Sequence, residues 1–213
     1  MRAPLTARDI LLVVDVQNDF LPGGALAVPD GDAIVPIVNR LARRYPHVIL
    51  TQDWHVAGHL SFASAHPGKS PFEVVDLPYG PQVLWPDHCV QGTAGAGFAP
   101  GLDIAQAELV LRKGYRREID SYSVFLEADG VTHTGLAGYL RERGFTRVHL
   151  AGLATDFCVA WSAVDARRYG FEVVVIVDAC RAIDTGGSLA AAWKRMRDAG
   201  VDELRSSELP GIS

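Results

Sequence analysis

Short, almost wholly aliphatic runs recur along this chain, and the stretches between them carry apolar residues at helical spacing. The first run, Ile10-Leu11-Leu12-Val13-Val14, goes straight to Asp15 without a polar residue. A strand that is apolar at every position has two buried faces, the condition of a parallel sheet covered by helices on both sides. We expect strands at 10–15, 48–51, 109–112, 148–152, 173–177 and 203–205. Between the first two, Ile34, Ile37, Val38 and Leu41 repeat with helical period, and 130–143 and 188–199 also read as helices. This alternation predicts an α/β fold: a three-layer αβα sandwich around a six-stranded, mainly parallel sheet. A length of 213 suits one domain, and no linker composition divides it. The stretch 54–107 is rich in Gly and Pro and has little periodicity. Its aromatics, among them Trp54, Phe62, Phe72, Trp85 and Phe98, predict an ordered, loop-rich lobe over 54–107 and not a disordered segment.

Charge excludes some classes of function. Lys+Arg number 20 against 25 Asp+Glu, a net charge of -5 that gives no support to a nucleic-acid or membrane surface role. The basic group Arg112, Lys113, Arg116 and Arg117 is local. No stretch approaches the roughly 18 apolar residues of a membrane span, and MRAPLTARDI carries no apolar signal region. Three cysteines, Cys89, Cys158 and Cys180, do not make a disulfide framework. A reducing cytoplasm is the expected location.

The polar residues of interest fall at the ends of the expected strands. Asp15 ends the first, Asp53 and His55 follow the second, Lys113 the third, and Cys158 the fourth. Open parallel sheets bind ligands beyond the carboxyl ends of their strands, so these pieces converge on one crevice. Asp53 and His55 are two apart and leave an extended backbone on the same face. With His88 they form a carboxylate–imidazole set sufficient for a divalent metal with open positions. His59 and His66 compete with His88 for the third place. Ser61 is a candidate contact to a metal-bound water. Cys89 is expected to be buried and Cys180 structural, following the fifth strand.

Cys158 stands where a helix should begin. The helix N-terminus and the Lys113 ammonium would both lower its thiol pKa. Asp15 can take the thiol proton and return it to a leaving amine. The three make an Asp-Lys-Cys arrangement for covalent acyl transfer, with the Ala154 and Cys158 amides as the oxyanion hole. Singly, each residue has a bland explanation: buried filler, a strand-end cap, a solvated lysine. Their meeting at one sheet edge separates the two readings.

These motifs resemble the nicotinamidases of the isochorismatase-like cysteine hydrolase superfamily. The matching pieces are Asp15-Val16-Gln17-Asn18-Asp19-Phe20, Gln52-Asp53-Trp54-His55, Ser61-Phe62-Ala63, Trp85-Pro86-Asp87-His88-Cys89-Val90-Gln91-Gly92-Thr93, Lys113-Gly114 and Gly152-Leu153-Ala154-Thr155-Asp156-Phe157-Cys158-Val159. The resemblance implies the isochorismatase-like hydrolase fold, with Asp15, Lys113 and Cys158 carrying the reaction. It implies zinc, iron or manganese on Asp53, His55 and His88, with the pyridine nitrogen of the substrate on the metal. It implies a cis peptide between Leu153 and Ala154, and a ring pocket lined by Phe20, Leu26, Trp85 and Tyr122. The implied reaction is hydrolysis of nicotinamide, and of pyrazinamide, through a cysteine thioester. Rival readings are an amidohydrolase of a carbamoyl or ureido compound, a non-catalytic binding relative, and a zinc hydrolase using metal-bound water. The sequence leaves the native metal and the choice between monomer and homo-oligomer open.

Overall fold

The computed structural model describes residues 4–103 and 105–209. Eight strands and four α-helices follow one another in the order β1 (Asp9–Val14), α1 (Val35–Ala42), β2 (Val48–Asp53), β3 (Val74–Leu77), β4 (Gly80–Val83), β5 (Leu109–Lys113), α2 (Leu136–Glu142), β6 (Arg147–Leu153), α3 (Ala160–Arg168), β7 (Glu172–Arg181), α4 (Ser188–Asp198) and β8 (Asp202–Leu204). Six of the strands form one sheet in the order β5-β2-β1-β6-β7-β8, and every pairing in it is parallel.

The aliphatic runs explain the layers. Along β1, Leu11 and Val13 face one core while Ile10, Leu12 and Val14 face the other. The same alternation divides β6 and β7. The first core is closed by α1 through Val38 and Leu41. The second is closed by α2, α3 and α4, through Leu136 and Leu140, Ala160 and Ala163, and Ala192 and Met196. Apolar side chains on both faces of each central strand leave no solvated face, so the three-layer αβα sandwich follows from burial alone.

Three expectations are corrected. The helix expected over 130–143 begins only at Leu136. Asp129 accepts the Val131 and Thr132 amides in a turn, Leu126 bridges to His133, and Gly135 takes φ +96°, which stops helix propagation backward. The fifth strand runs to Arg181, so Cys180 lies within it and does not follow it. The lobe over 54–107 contains an antiparallel hairpin, β3 with β4, that the sequence did not disclose. The lobe is tied to the sheet edge by isolated bridges from Gln17 to Phe98 and from His55 to Val90, with Phe62 bridging to Trp85 inside it.

Because the sheet is parallel, the carboxyl ends of its strands share one edge. Asp15 follows β1, Asp53 and Lys113 are the last residues of β2 and β5, and Ala154 follows β6. One close approach fixes this edge. Gly152, at φ +128°, pairs with Val14, and a Cβ there would lie 2.0 Å from the Val14 carbonyl oxygen.

Candidate active site

Lys113 organises the charges of the edge. Its ammonium, wholly buried, lies 2.8 Å from Asp15 Oδ2, bonds Asp53 Oδ1, donates to the Ser121 carbonyl at 2.8 Å, and stands 3.4 Å from Cys158 Sγ. Burial pulls the lysine down, but Asp15 and Asp53 more than reverse this and hold its pKa well above the ordinary value. Asp15 sits at φ +48° and is clamped by Thr51, which accepts from its amide at 3.1 Å and donates to Oδ1 at 2.5 Å. Burial raises the Asp15 pKa, and the attraction of Lys113 only partly offsets it. Asp53 goes the other way. Burial pushes it up, yet Lys113, His55 and His88 together hold it well below the usual carboxylate range.

The thiol corrects an expectation. Burial, reinforced by the carboxylates of Asp15 and Asp53, pushes Cys158 well above the ordinary thiol value, and Lys113 does not reverse it. A thiol so placed would give up its proton only as it attacks, and Asp15, the carboxylate beside it with a raised pKa, is matched to receive it.

Asp53 divides its two oxygens. Oδ1 faces Lys113, while Oδ2 lies 3.7 Å from His55 Nε2 and 3.7 Å from His88 Nε2. The far nitrogens of both imidazoles meet carbonyls: His55 Nδ1 at 2.9 Å from Gly114 O, His88 Nδ1 at 2.8 Å from Pro86 O. A carbonyl only accepts, so each ring carries a proton on Nδ1 and turns Nε2 inward. Carbonyls bonded to the outer nitrogen are the usual support of a metal-ligating histidine. The ligand atoms of Asp53, His55 and His88 all lie within 4.8 Å of one another and are buried. This donor set fits a divalent cation.

The competing histidines are otherwise engaged. His59 Nε2 faces the carbonyls of Arg116 and Ile119, and its Nδ1 takes the Ser61 amide and hydroxyl. It shares a neighbouring group with His55 and Asp120 but not the one containing Asp53. His66 bonds the Leu60 carbonyl. Ser61 is wholly buried with its hydroxyl 2.8 Å from His59 Nδ1. Cys89 is buried, and its amide donates to Asp19 at 2.7 Å.

A cavity opens over these groups. Phe20, Leu26, Trp85 and Tyr122, all expected from the resemblance, line it beside Asp53, His55, His88, Ala154 and Cys158. Trp85 Nε1 donates to the Tyr122 hydroxyl at 2.9 Å, which fixes the two rings at right angles. Phe157, Ile183 and Asp120 also line the cavity, and sequence reasoning missed them. Phe157 stood inside a recognised motif. Ile183 comes from beyond β7 and is held there by Asp156, whose carboxylate accepts the Ile183 and Asp184 amides. Gln17 was missed too: its side chain bonds both the amide and the carbonyl of Asp53.

After β6 the Leu153–Ala154 peptide is cis, as the resemblance implies. The chain then makes a wide turn over Thr155–Val159 before α3. The Ala154 carbonyl takes the amides of Phe157 and Val159 and passes over that of Cys158 between them.

Residues 9–208 match the family model of the isochorismatase domain. The chain is 56% identical over 199 residues to a nicotinamidase of Acinetobacter baylyi, covering 93% of each. A solved nicotinamidase/pyrazinamidase of Acinetobacter baumanii superposes with a TM-score of 0.94 at 55% identity, over 95% of this chain and 98% of that one. A pyrazinamidase of Pyrococcus horikoshii solved in complex with zinc superposes with a TM-score of 0.75 at 35% identity, over 93% of this chain and 99% of that one. With its parallel sheet, its buried Asp-Lys-Cys edge and these matches, the chain belongs to the isochorismatase family.

Proposed function

We propose that this protein is a metal-dependent nicotinamidase: it hydrolyses nicotinamide to nicotinate and ammonia through a thioester on Cys158, and takes pyrazinamide in the same way. The observation that carries this reading is the divided Asp53. One carboxylate joins an Asp-Lys-Cys group to a two-histidine ligand set in a single aromatic-lined cavity. A carbamoyl or ureido hydrolase has no need of the second half.

In this reading Phe20, Trp85 and Tyr122 sandwich a flat ring, with Leu26, Phe157 and Ile183 closing the apolar wall. A divalent metal on Asp53, His55 and His88 would supply a Lewis-acid anchor for the lone pair of a ring nitrogen. The carboxamide then faces Cys158. Asp15 takes the thiol proton as sulfur bonds the carbonyl carbon, and the amides of Ala154 and Cys158 receive the oxyanion. Asp15 gives its proton to the departing nitrogen, and ammonia leaves. Water attacks the thioester and surrenders a proton to Asp15; the carbon–sulfur bond breaks, that proton returns to sulfur, and the acid loses its remaining proton to solvent and leaves as nicotinate. Lys113 keeps Asp15 and the developing thiolate in one electrostatic frame throughout. Thr51 and Gln17 position Asp15 and Asp53. Ser61, its hydroxyl 2.8 Å from His59 Nδ1, is the candidate contact to a water on the metal.

No helix among the described residues is long and apolar enough to cross a membrane. Free thiols at Cys89, Cys158 and Cys180 suit a reducing cytoplasm, and a small aromatic amide as the partner suits a cavity with this lining. We read 1–213 as one domain, with the lobe over 54–107 supplying Trp85 and His88. Ammonia release from nicotinamide, measured with and without a chelator, tests the reading. Turnover that the chelator abolishes and added metal restores is expected; no release from freshly metal-loaded protein contradicts it.

A further inference from the structure

One acidic side chain in the cavity has no part in the chemistry above. Asp120 is 3% exposed and lines the same cavity as Cys158, His55 and His88. Its partners are neutral N–H groups: the Ser121 amide at 2.8 Å on Oδ1, and Gln82 Nε2 at 2.8 Å on Oδ2. The same Gln82 nitrogen lies 2.7 Å from the Val83 carbonyl, so both neighbours demand a donor and fix the amide orientation. Asp15 and Asp53 share the Lys113 ammonium. Among the described residues no lysine or arginine stands within ion-pair distance of Asp120; the nearest basic side chains are the imidazoles of His55 and His59, whose ring nitrogens lie within 4.8 Å of its carboxylate. A buried carboxylate without a lysine or arginine partner is costly to maintain, so its place in a substrate cavity calls for a use.

Substrate and product of the proposed reaction differ at one group. The carboxamide is neutral; the carboxylate is an anion of nearly the same shape. An apolar pocket that fits one fits the other, and discrimination requires a repulsive element. We propose that Asp120 is that element: its charge disfavours the carboxylate product in the cavity and so distinguishes amide from acid. This rests on the nicotinamidase reading. The charge balance shows why the site needs it. Asp15, Asp53 and Asp120 bring three negative charges and Lys113 one positive, and a bound divalent cation makes the total zero. Without Asp120 the loaded site carries a net positive charge and becomes a trap for nicotinate. Gln82, on β4, is the positioning residue that holds Asp120 at the cavity wall.

The test compares the inhibition constant of nicotinate with the KM of nicotinamide in metal-loaded wild type, Asp120→Asn and Asp120→Ala, with metal content measured in each. Nicotinate should bind about tenfold tighter in the variants, about 1.4 kcal/mol, while the KM of nicotinamide moves less than about threefold. A damaged cavity does not gain affinity for an anion, so structural loss cannot imitate this result. Cys158→Ala supplies a measurement with Asp120 intact: it should bind nicotinamide at least about tenfold more tightly than nicotinate. Unchanged or weakened nicotinate binding in both Asp120 variants, or nicotinate bound as tightly as nicotinamide by Cys158→Ala, overturns the proposal and leaves the nicotinamidase reading standing. A wild type that binds neither compound removes both.

Discussion

At the scale of single residues, the site works by matching each group to a neighbour that sets its charge. Burial raises Asp15 against the pull of Lys113, while Asp53, under the same lysine, is depressed because it also faces two imidazoles. Cys158→Ala should therefore reduce ammonia release to background while metal content stays at wild type; a tenth of the activity remaining would remove the thiol as nucleophile. Asp15→Asn keeps a hydrogen bond but carries no proton, and kcat should fall by roughly 10²–10⁴-fold. A change in KM alone would make Asp15 a binding residue. Gly114 offers a less obvious test. A Cβ there would lie 2.6 Å from His55 Cε1, and its φ of +69° already disfavours a side chain. Gly114→Ala should displace His55 and weaken metal binding by about tenfold or more, read as metal retained after dialysis. Full retention would show that His55 is not held by this contact. Asp15, Lys113, Cys158, Asp53 and His55 were legible in the sequence because each follows or ends an apolar strand. Asp120 was not: it sits in a loop without a motif, and only the fold brings it to the cavity.

At the scale of elements, the wide turn over Thr155–Val159 and the end of β7 are one device. Asp156, two residues before Cys158, bonds the Ile183 and Asp184 amides and the Ser188 hydroxyl, and so holds the start of α4 and one wall of the cavity. Asp156→Ala leaves these partners unsatisfied at about 1–3 kcal/mol for a buried group. We expect a lower melting temperature and a KM for nicotinamide raised more than kcat is lowered, because Ile183 lines the ring cavity and not the thiol. Equal losses in both constants would place Asp156 in the chemistry. This coupling could not be read from sequence, since Asp156 and Ile183 are separated by all of α3 and β7. Boundaries failed for a related reason. The residues over 130–143 have helical spacing, but the Asp129 turn and Gly135 are local devices that override periodicity for the first six of them. The β3–β4 hairpin has strands of four residues, too short for alternation to register.

At the scale of the whole molecule, the sheet was the most legible feature, because two buried faces demand uninterrupted aliphatic strands. One interruption carries a cost. His149 lies inside β6, its ring edge-on to Tyr45, and its Nδ1 has no partner. Burial lowers its pKa from 6.5 to about 4. The unfolded chain therefore binds a proton that the folded chain refuses, and stability falls as pH drops below 6.5 and levels off near 4. Between pH 7 and 4.5 this residue should account for about 2–3 kcal/mol of lost stability. Denaturant unfolding of wild type and His149→Leu at both values should show the pH dependence shrinking by that amount in the variant; an unchanged dependence would place the acid sensitivity elsewhere. The central claim is that a ring nitrogen is anchored by the metal on Asp53, His55 and His88 while Cys158 attacks the amide. Benzamide has the ring and the carboxamide but no lone pair. The decisive measurement is kcat/KM for nicotinamide and benzamide in wild type and His55→Ala, beside metal content by elemental analysis. Metal-loaded wild type should strongly prefer nicotinamide, and the metal-poor variant should have lost most of that preference. Equal turnover of the two amides by metal-loaded wild type, or full preference retained without metal, would contradict it.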